Sequence, residues 1–206
     1  MKNMLIPVHP VNPQKKILET VAAGLKRGEI YILPTDTAYA FVAAMDQKKT
    51  IERIYFLKKM PENKVISVFC KDISVASEYI RMDNNAVFRW MKSHLPGPYT
   101  LVFQASKNLP NYAITKQKTV GIRIVVNPVI CGLLEIMQVP LVGTSAFHAE
   151  EYMTYPEDLD RLYGKQIQGI LDTGPAENIF STVIDMAGAS PVVIRQGMGQ
   201  TDDLPA

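Results

Sequence analysis

Hydroxyl and cationic side chains recur near the ends of the helices and strands that the sequence predicts. Arginine and lysine bind phosphate and carboxylate groups through charge-assisted hydrogen bonds, and hydroxyls complete such sites. Taken singly, each residue is better explained as a surface or capping residue. Because the set holds few carboxylates, it predicts a site for an anionic ligand rather than a covalent nucleophile. The set comprises Thr35, Thr37, Lys58, Lys64, Thr119, Arg123, Thr144, Ser145, Ser181, Thr182 and Arg195.

Several common sites lack their sequence motifs. There is no G-x-x-x-x-G-K-[ST] segment, which excludes an ordinary P-loop. His9, His94 and His148 are isolated, and no Cys/His spacing suits zinc, so we expect no metal held by side chains.

The segment from Ile30 to Phe41 organises the rest of the chain. Its apolar start predicts a buried strand over 30–33, which Pro34 ends because proline has no N–H to donate. Thr35-Asp36-Thr37 follow, at the place where ligands bind in α/β proteins. The alternative interpretation is a Thr/Asp turn that caps a helix.

Helices and strands alternate along the chain, which predicts one α/β domain over residues 1–206. Because the C-terminal strands follow one another closely, we expect a mixed sheet with flanking helices. The predicted strands are 30–33, 64–70, 99–104, 119–126, 140–144, 167–171, 180–185 and 191–195, and the predicted helices are 14–27, 46–59, 72–80, 83–94, 128–137 and 156–163.

The composition is that of a globular protein, with 47% hydrophobic and 20% charged residues among 206. No apolar run approaches the roughly 18 residues that span a bilayer, and the N-terminus is too short for a signal peptide. Cys70 and Cys131 stand in apolar surroundings, so we expect both thiols to be buried and reduced. These features predict a cytoplasmic protein without membrane contact.

Charge is unevenly distributed. Residues 1–123 hold 19 Lys/Arg and 9 Asp/Glu, whereas residues 124–206 hold 3 and 11, giving balances of +10 and −8. This asymmetry indicates either a surface that faces a polyanion or an ordinary solvated surface.

Five ordered segments resemble the YrdC/YciO family, and the ending Pro191–Gly199 is closer to the YciO branch. The resemblance runs from about residue 10 to 199, and five ordered motifs are more specific than one. The segments are Leu33-Pro34-Thr35-Asp36-Thr37-Ala38-Tyr39, Lys58-Lys59-Met60-Pro61-Glu62-Asn63-Lys64, Pro96-Gly97-Pro98-Tyr99-Thr100-Leu101, Val120-Gly121-Ile122-Arg123, and Ser181-Thr182-Val183-Ile184-Asp185 with Val193-Ile194-Arg195.

The resemblance implies a twisted α/β sheet of the YrdC-like and RibB-like type, with a large, basic concave face. It also implies threonylcarbamoyl-adenylate synthesis from L-threonine, bicarbonate and ATP with Mg²⁺, without a tightly bound cofactor. The product serves N6-threonylcarbamoyladenosine formation at position 37 of tRNA. Family members are also described as binding double-stranded RNA.

Carried over by motif, the resemblance implies two groups of contacts. Thr35, Arg123, Ser145 and Ser181 would hold threonine, and Lys58, Lys64, Thr119 and Arg195 would hold the nucleotide. Lys58 and Ser145 are the implied catalytic positions. The substrate's own carbamate would attack the α-phosphate, while the protein supplies position and positive charge.

Three apolar residues depart from the family's synthase pattern. Met60 stands in place of an arginine, Phe147 in place of an asparagine, and Phe69 where a histidine is common. We therefore expect a pocket with weak or altered synthase activity, in which Met60 and Phe147 form an apolar wall beside the nucleotide. The alternative is a non-enzymatic protein that binds tRNA or double-stranded RNA through its basic first part.

Overall fold

The computed structural model describes residues 4–60, 66–113, 117–148, 151–152, 154–177 and 179–205. Its helices are α1 (Lys15–Lys26), α2 (Lys48–Leu57), α3 (Ile73–Tyr79), α4 (Asn85–His94), α5 (Pro128–Met137) and α6 (Pro156–Tyr163). Its strands are β1 (Leu5–Pro7), β2 (Tyr31–Leu33), β3 (Ala40–Ala44), β4 (Ser67–Phe69), β5 (Ile80–Arg81), β6 (Tyr99–Ala105), β7 (Thr119–Arg123), β8 (Leu141–Ser145), β9 (Phe147–His148), β10 (Glu151–Tyr152), β11 (Gly169–Asp172), β12 (Thr182–Asp185) and β13 (Val192–Arg195).

One mixed sheet of eleven strands runs through the molecule, in the order β1-β11-β2-β3-β8-β4-β7-β6-β12-β13, with β5 also paired to β6. The pairs β1/β11, β11/β2, β4/β7 and β6/β12 are parallel, and the other pairs in this sheet are antiparallel. The predicted α/β class and mixed sheet are confirmed. β9 and β10 form a separate antiparallel pair.

Helices cover the sheet in two groups. The buried residues of α1 and α5 pack together against β2, β3 and β8. Those of α2, α3, α4 and α6 belong to a second apolar cluster, which includes residues of β6 and β7. Both groups bury the apolar stripe that helical periodicity places on one face of each helix.

Successive side chains of β6 and β7 alternate between the apolar core and a cavity on the opposite face of the sheet. Leu101, Phe103, Val120 and Ile122 are buried in the cluster that contains α3 and α4. Their neighbours Thr100, Val102, Thr119 and Arg123 line a cavity instead. Because successive strand residues point to opposite faces, this cavity lies on the face of the sheet turned away from α3 and α4.

The sequence prediction missed strand β3. Ala40–Ala44 is buried at every position, so it shows no alternation of polar and apolar residues. Three of its five residues are alanines, which have low strand propensity. The short strands β1, β5, β9 and β10 were also not predicted.

One of the two predicted buried thiols is exposed. Cys70 is 1% exposed, and burial raises the pKa of its thiol to about 12. Cys131 is exposed because α5 buries Val129, Ile130 and Leu133, which leaves position 131 on the solvent side. Across the residues described, no helix combines the length and apolar character needed to cross a membrane.

Candidate functional site

A cavity of about 340 Å³ opens on the sheet face described above. Strands β4, β6, β7, β8, β12 and β13 contribute to it, and small-molecule sites in proteins commonly have this size. Its lining combines hydroxyls, two guanidinium groups, one carboxylate and three aromatic rings. These are Ser67, Thr100, Thr119, Thr144, Ser145 and Ser181; Arg123 and Arg195; Asp185; and Phe69, Phe147 and Phe180.

Arg123, the last residue of β7, forms a buried ion pair with Asp36 from the loop between β2 and β3. Their side chains are only 5% and 8% exposed. The Arg123 guanidinium donates one hydrogen bond to the Asp36 carboxylate and another, of 3.2 Å, to the Thr37 hydroxyl. The Phe69 ring centroid lies 5.5 Å from Arg123 Cζ. This pair therefore joins the loop after β2 to the wall of the cavity.

Burial opposes the charges of this ion pair. Loss of solvent raises the pKa of Asp36, and the Arg123 charge partly counters that rise. Burial likewise lowers the pKa of Arg123, against the effect of Asp36. Desolvation always disfavours the charged form, so each partner depends on the other to remain ionised.

The Thr35-Asp36-Thr37 loop is a side-chain-stabilised turn. The Thr35 hydroxyl donates to the Ala38 carbonyl at 2.6 Å and accepts from the Thr37 and Ala38 amides, each at 3.2 Å. Such local bonds are typical of Ser and Thr turns. The turn leads into β3 rather than into a helix, which corrects the capping interpretation. It also holds Asp36 against Arg123.

Arg195 on β13 is held beside Ser181. Its guanidinium donates to the Ser181 carbonyl at 2.9 Å and lies 3.4 Å from the Ser181 hydroxyl. That hydroxyl is also 2.8 Å from the Thr100 hydroxyl. Arg195 Cζ stacks 4.3 Å from the Phe180 ring centroid. Together these contacts fix one positive charge at the β12–β13 side of the cavity.

A β-bulge aims Arg195 at the cavity. Val183 on β12 pairs with Arg195, whereas the next residue, Ile184, pairs with Val193, so Ile194 is an extra residue in β13. In a regular strand Ile194 and Arg195 would point to opposite faces. Both line the cavity here. Bulges commonly redirect side chains next to functional sites.

Lys58 follows the end of α2 and contacts the rim formed by β8 and β9. Its ammonium donates to the Ser145 carbonyl and lies 3.5 Å from the Thr144 hydroxyl. It also sits 4.0 Å from the centroid of the Phe147 ring. Lys58 is therefore held at the rim by these polar contacts and by the ring of Phe147, which stands in place of the asparagine of the synthase pattern.

The structure brings together most of the predicted site residues. Thr119, Arg123, Ser145, Ser181 and Arg195 line the one cavity, with Lys58 at its rim. Thr35 is outside this lining but adjoins Asp36 and Thr37, which contact Arg123. Lys64 lies outside the described residues.

The three departures from the synthase pattern lie in different places. Phe147 lines the cavity, as expected of the apolar wall, and Phe69 lines it as well. Met60 instead lines a separate hollow beside Tyr55, Phe56 and Gln166. The expectation that Met60 joins this wall is wrong. Lys59 has a positive φ of 48°, which turns the chain at this point.

Sequence reasoning did not single out several lining residues. They are Ser67, Thr100, Gln117, Phe180 and Asp185. Thr100 and Ser67 could have been found as polar residues within otherwise apolar strands. Phe180 carries no such signal, because its position depends on contacts with Arg195 and Phe147.

The arrangement suits binding and charge neutralisation. Among the described residues, those that line the cavity include two arginines and six hydroxyls, but no cysteine, histidine or lysine. Arginine with hydroxyl donors can hold carboxylate and phosphate oxygens together. Such a site can position two anionic reactants and stabilise developing negative charge without forming a covalent intermediate.

Comparison with known proteins finds relatives that are similar over nearly the whole chain. The chain is 33% identical to a protein of Escherichia coli strain K12 called uncharacterized protein YciO, over 93% of this chain and 94% of that one. The crystal structure of E. coli YciO superposes with a TM-score of 0.92 and 30% identity, covering 98% of each chain.

Two further proteins carry more specific names. A putative threonylcarbamoyl-AMP synthase of Methanocaldococcus jannaschii is 28% identical over 96% of this chain and 95% of that one. The structure of P. abyssi Sua5 complexed with L-threonine shares the fold, with a TM-score of 0.87 at 22% identity, over 94% of this chain and 57% of that one.

The family model for Sua5, YciO and YrdC proteins, described as "Telomere recombination", matches residues 23–197. This match spans most of the chain and all the strands that line the cavity. The chain belongs to the Sua5/YciO/YrdC family.

Proposed function

We propose that the cavity binds an adenine nucleotide together with L-threonine, and that the protein carries out threonylcarbamoyl-AMP synthesis weakly or in an altered form. The observation that carries the proposal is the convergence of Arg123, Arg195 and six hydroxyls on one cavity. The threonine in the Sua5 structure and the name of the M. jannaschii relative support this ligand pair.

In the proposed reaction, L-threonine and bicarbonate lose water to give a carbamate. A carbamate oxygen then attacks the α-phosphorus of ATP, the bond to the β-phosphate oxygen breaks, and pyrophosphate leaves. Mg²⁺ enters as part of the ATP substrate. The product is a mixed anhydride whose threonylcarbamoyl group would pass to tRNA, and the proposal includes a cytoplasmic location for this step.

The positions of the residues around the cavity suggest which part of the substrates each one contacts. Arg123 would bind the carboxylate of threonine, next to Thr35 in the loop that carries Asp36. Ser145 and Ser181 would form hydrogen bonds with the hydroxyl and the carbamate of the same substrate. Arg195 and Thr119 would contact the nucleotide. Lys58 would join the phosphates only after leaving the Phe147 ring, which is the physical reason to expect weak activity.

Isothermal titration calorimetry with ATP, AMP and L-threonine tests the proposal. We expect all three to bind the parent protein. Arg195→Met should weaken ATP and AMP about ten- to a hundredfold, the usual loss for a hydrogen bond to a charged group. Arg161→Met is the matched control, because Arg161 is exposed on α6 and pairs with Asp158.

No detectable binding of any of the three ligands at millimolar concentration would overturn the proposal. Equal affinities for the parent and Arg195→Met would instead remove Arg195 from the nucleotide site.

A further inference from the structure

The Asp36–Arg123 pair leaves two buried polar atoms without partners. Among the described residues, neither Asp36 Oδ2 nor Arg123 Nε makes a hydrogen bond. Arg123 contacts Asp36 and Thr37 through a single nitrogen, Nη2. Buried polar atoms are nearly always satisfied, so this pair has unused hydrogen-bonding capacity beside the cavity that Arg123 lines.

A ligand carboxylate on Arg123 would share that guanidinium with Asp36. The pair is neutral as it stands, and it is buried. A second carboxylate would leave one cation between two anions, which is costly where solvent is excluded. When two carboxylates must occupy one such site, one of them commonly takes up a proton.

The other charged group that acts on this pair is Arg195 on β13, which lowers the pKa of Arg123. Thr37, from the same loop as Asp36, contributes a neutral hydroxyl. The Val126 amide, after β7, also faces the Asp36 carboxylate. No further cation among the described residues bonds Asp36, so an added negative charge must be met largely at the pair itself.

We propose that Asp36 takes up a proton when a carboxylate ligand binds Arg123, so that the affinity of this site for acidic ligands rises as pH falls. The inference rests on the proposed function, which places the threonine carboxylate at Arg123. It assigns Asp36 the role of a specificity-determining residue that penalises an anionic ligand unless a proton accompanies it.

The direction of the linkage follows from the two states of the site. Burial already raises the pKa of Asp36 in the free protein, and a bound carboxylate would raise it further. Between these two values, binding takes up a proton, and affinity falls up to about tenfold for each unit of rising pH. Below both values, Asp36 is protonated before the ligand arrives, and the dependence disappears.

Calorimetric titration with L-threonine in two buffers of different ionisation enthalpy measures the protons taken up. In the pH range between the pKa of Asp36 in the free protein and its higher pKa in the complex, we expect uptake to approach about one proton per ligand. L-threoninol, which lacks the carboxylate, should bind without uptake. These measurements use the parent protein and need no variant.

Asp36→Asn keeps the size and an acceptor for Arg123, and it should abolish the uptake and flatten the pH profile of the affinity. Asp185→Asn is the matched variant, because Asp185 is the one carboxylate among the described residues that line the cavity and is bonded to the Ala187 amide rather than to Arg123. It should retain the uptake.

Threonine binding without proton uptake, or uptake that persists in Asp36→Asn, would overturn the inference. So would binding of ATP but of no carboxylate ligand, which would leave the nucleotide part of the proposed function intact. Failure of both ligands to bind would instead overturn the proposed function, and this inference with it.

Discussion

Lys58 and Arg195 each face an aromatic ring at the mouth of the cavity. Lys58 Nζ is 4.0 Å from the Phe147 centroid, and Arg195 Cζ is 4.3 Å from that of Phe180. The two rings pack edge to face, with centroids 6.2 Å apart. A cation over a ring face is attracted by its negative electron density. The two rings therefore lie between the two cations, and the four side chains form one row from the end of α2 past β9 to β13.

Replacing Phe147 should release Lys58 from this row. Phe147→Asn removes the ring and restores the residue type of the synthase pattern. Loss of a contact worth about 0.5–2 kcal/mol should raise threonine-dependent exchange of pyrophosphate into ATP by about two- to thirtyfold. The exchange rate at saturating threonine measures this change.

Met60→Arg is the control for Phe147→Asn. It restores the other synthase residue type, but Met60 lines a separate hollow, so the exchange rate should not change. A parent protein that already exchanges rapidly, and a slower Phe147→Asn variant, would show that Phe147 belongs to a working site.

At the scale of elements, short strands place the site and capped helices support them. Helix α4 starts at Asn84, whose side chain accepts hydrogen bonds from the Ala86 and Val87 amides at 2.8 and 3.3 Å. Four residues separate the end of α4 from the start of β6, which carries Thr100 into the cavity. The cap therefore fixes where the helix beneath β6 begins.

Asn84→Ala should lower the free energy of unfolding by about 1 kcal/mol, because two amides at the helix start lose their acceptor. Urea denaturation measures the change. Asn85 is the exposed first residue of α4, and Asn85→Ala should change the free energy of unfolding by less than about 0.5 kcal/mol. Equal losses in both variants would mean that the cap bond contributes nothing.

The limits of sequence reasoning also lie at this scale. Strands β2, β6, β7 and β12 could be predicted because their apolar residues follow a recognisable strand pattern. The bulge at Ile194 could not, because it is defined by pairing with β12 rather than by any residue type. The turn at Lys59, which immediately precedes Met60, likewise depends on a backbone conformation that lysine rarely adopts.

Over the whole molecule, the two apolar clusters share one sheet. Phe41 and Val42 are neighbours on β3, yet Phe41 belongs to the cluster with α2 and α6, and Val42 to the cluster with α1 and α5. Neither cluster can lose its packing without exposing the sheet that supports the other. The sequence-based expectation of one domain stays a prediction, and this sharing favours it.

The ligand site spans the same sheet, since its lining runs from Ser67 on β4 to Arg195 on β13. We therefore expect one calorimetric unfolding transition that moves as a whole when ATP binds. At a free concentration of about 100 times Kd, binding to the native state adds about 2.7 kcal/mol. For a chain of this size, that corresponds to a rise in Tm of about 5–10 °C.

The Tm of the Arg195→Met variant should rise less at the same ATP concentration, because the variant binds ATP more weakly. A second transition insensitive to ATP would show that part of the sheet unfolds independently of the site. An equal rise in both proteins would place the nucleotide outside this cavity.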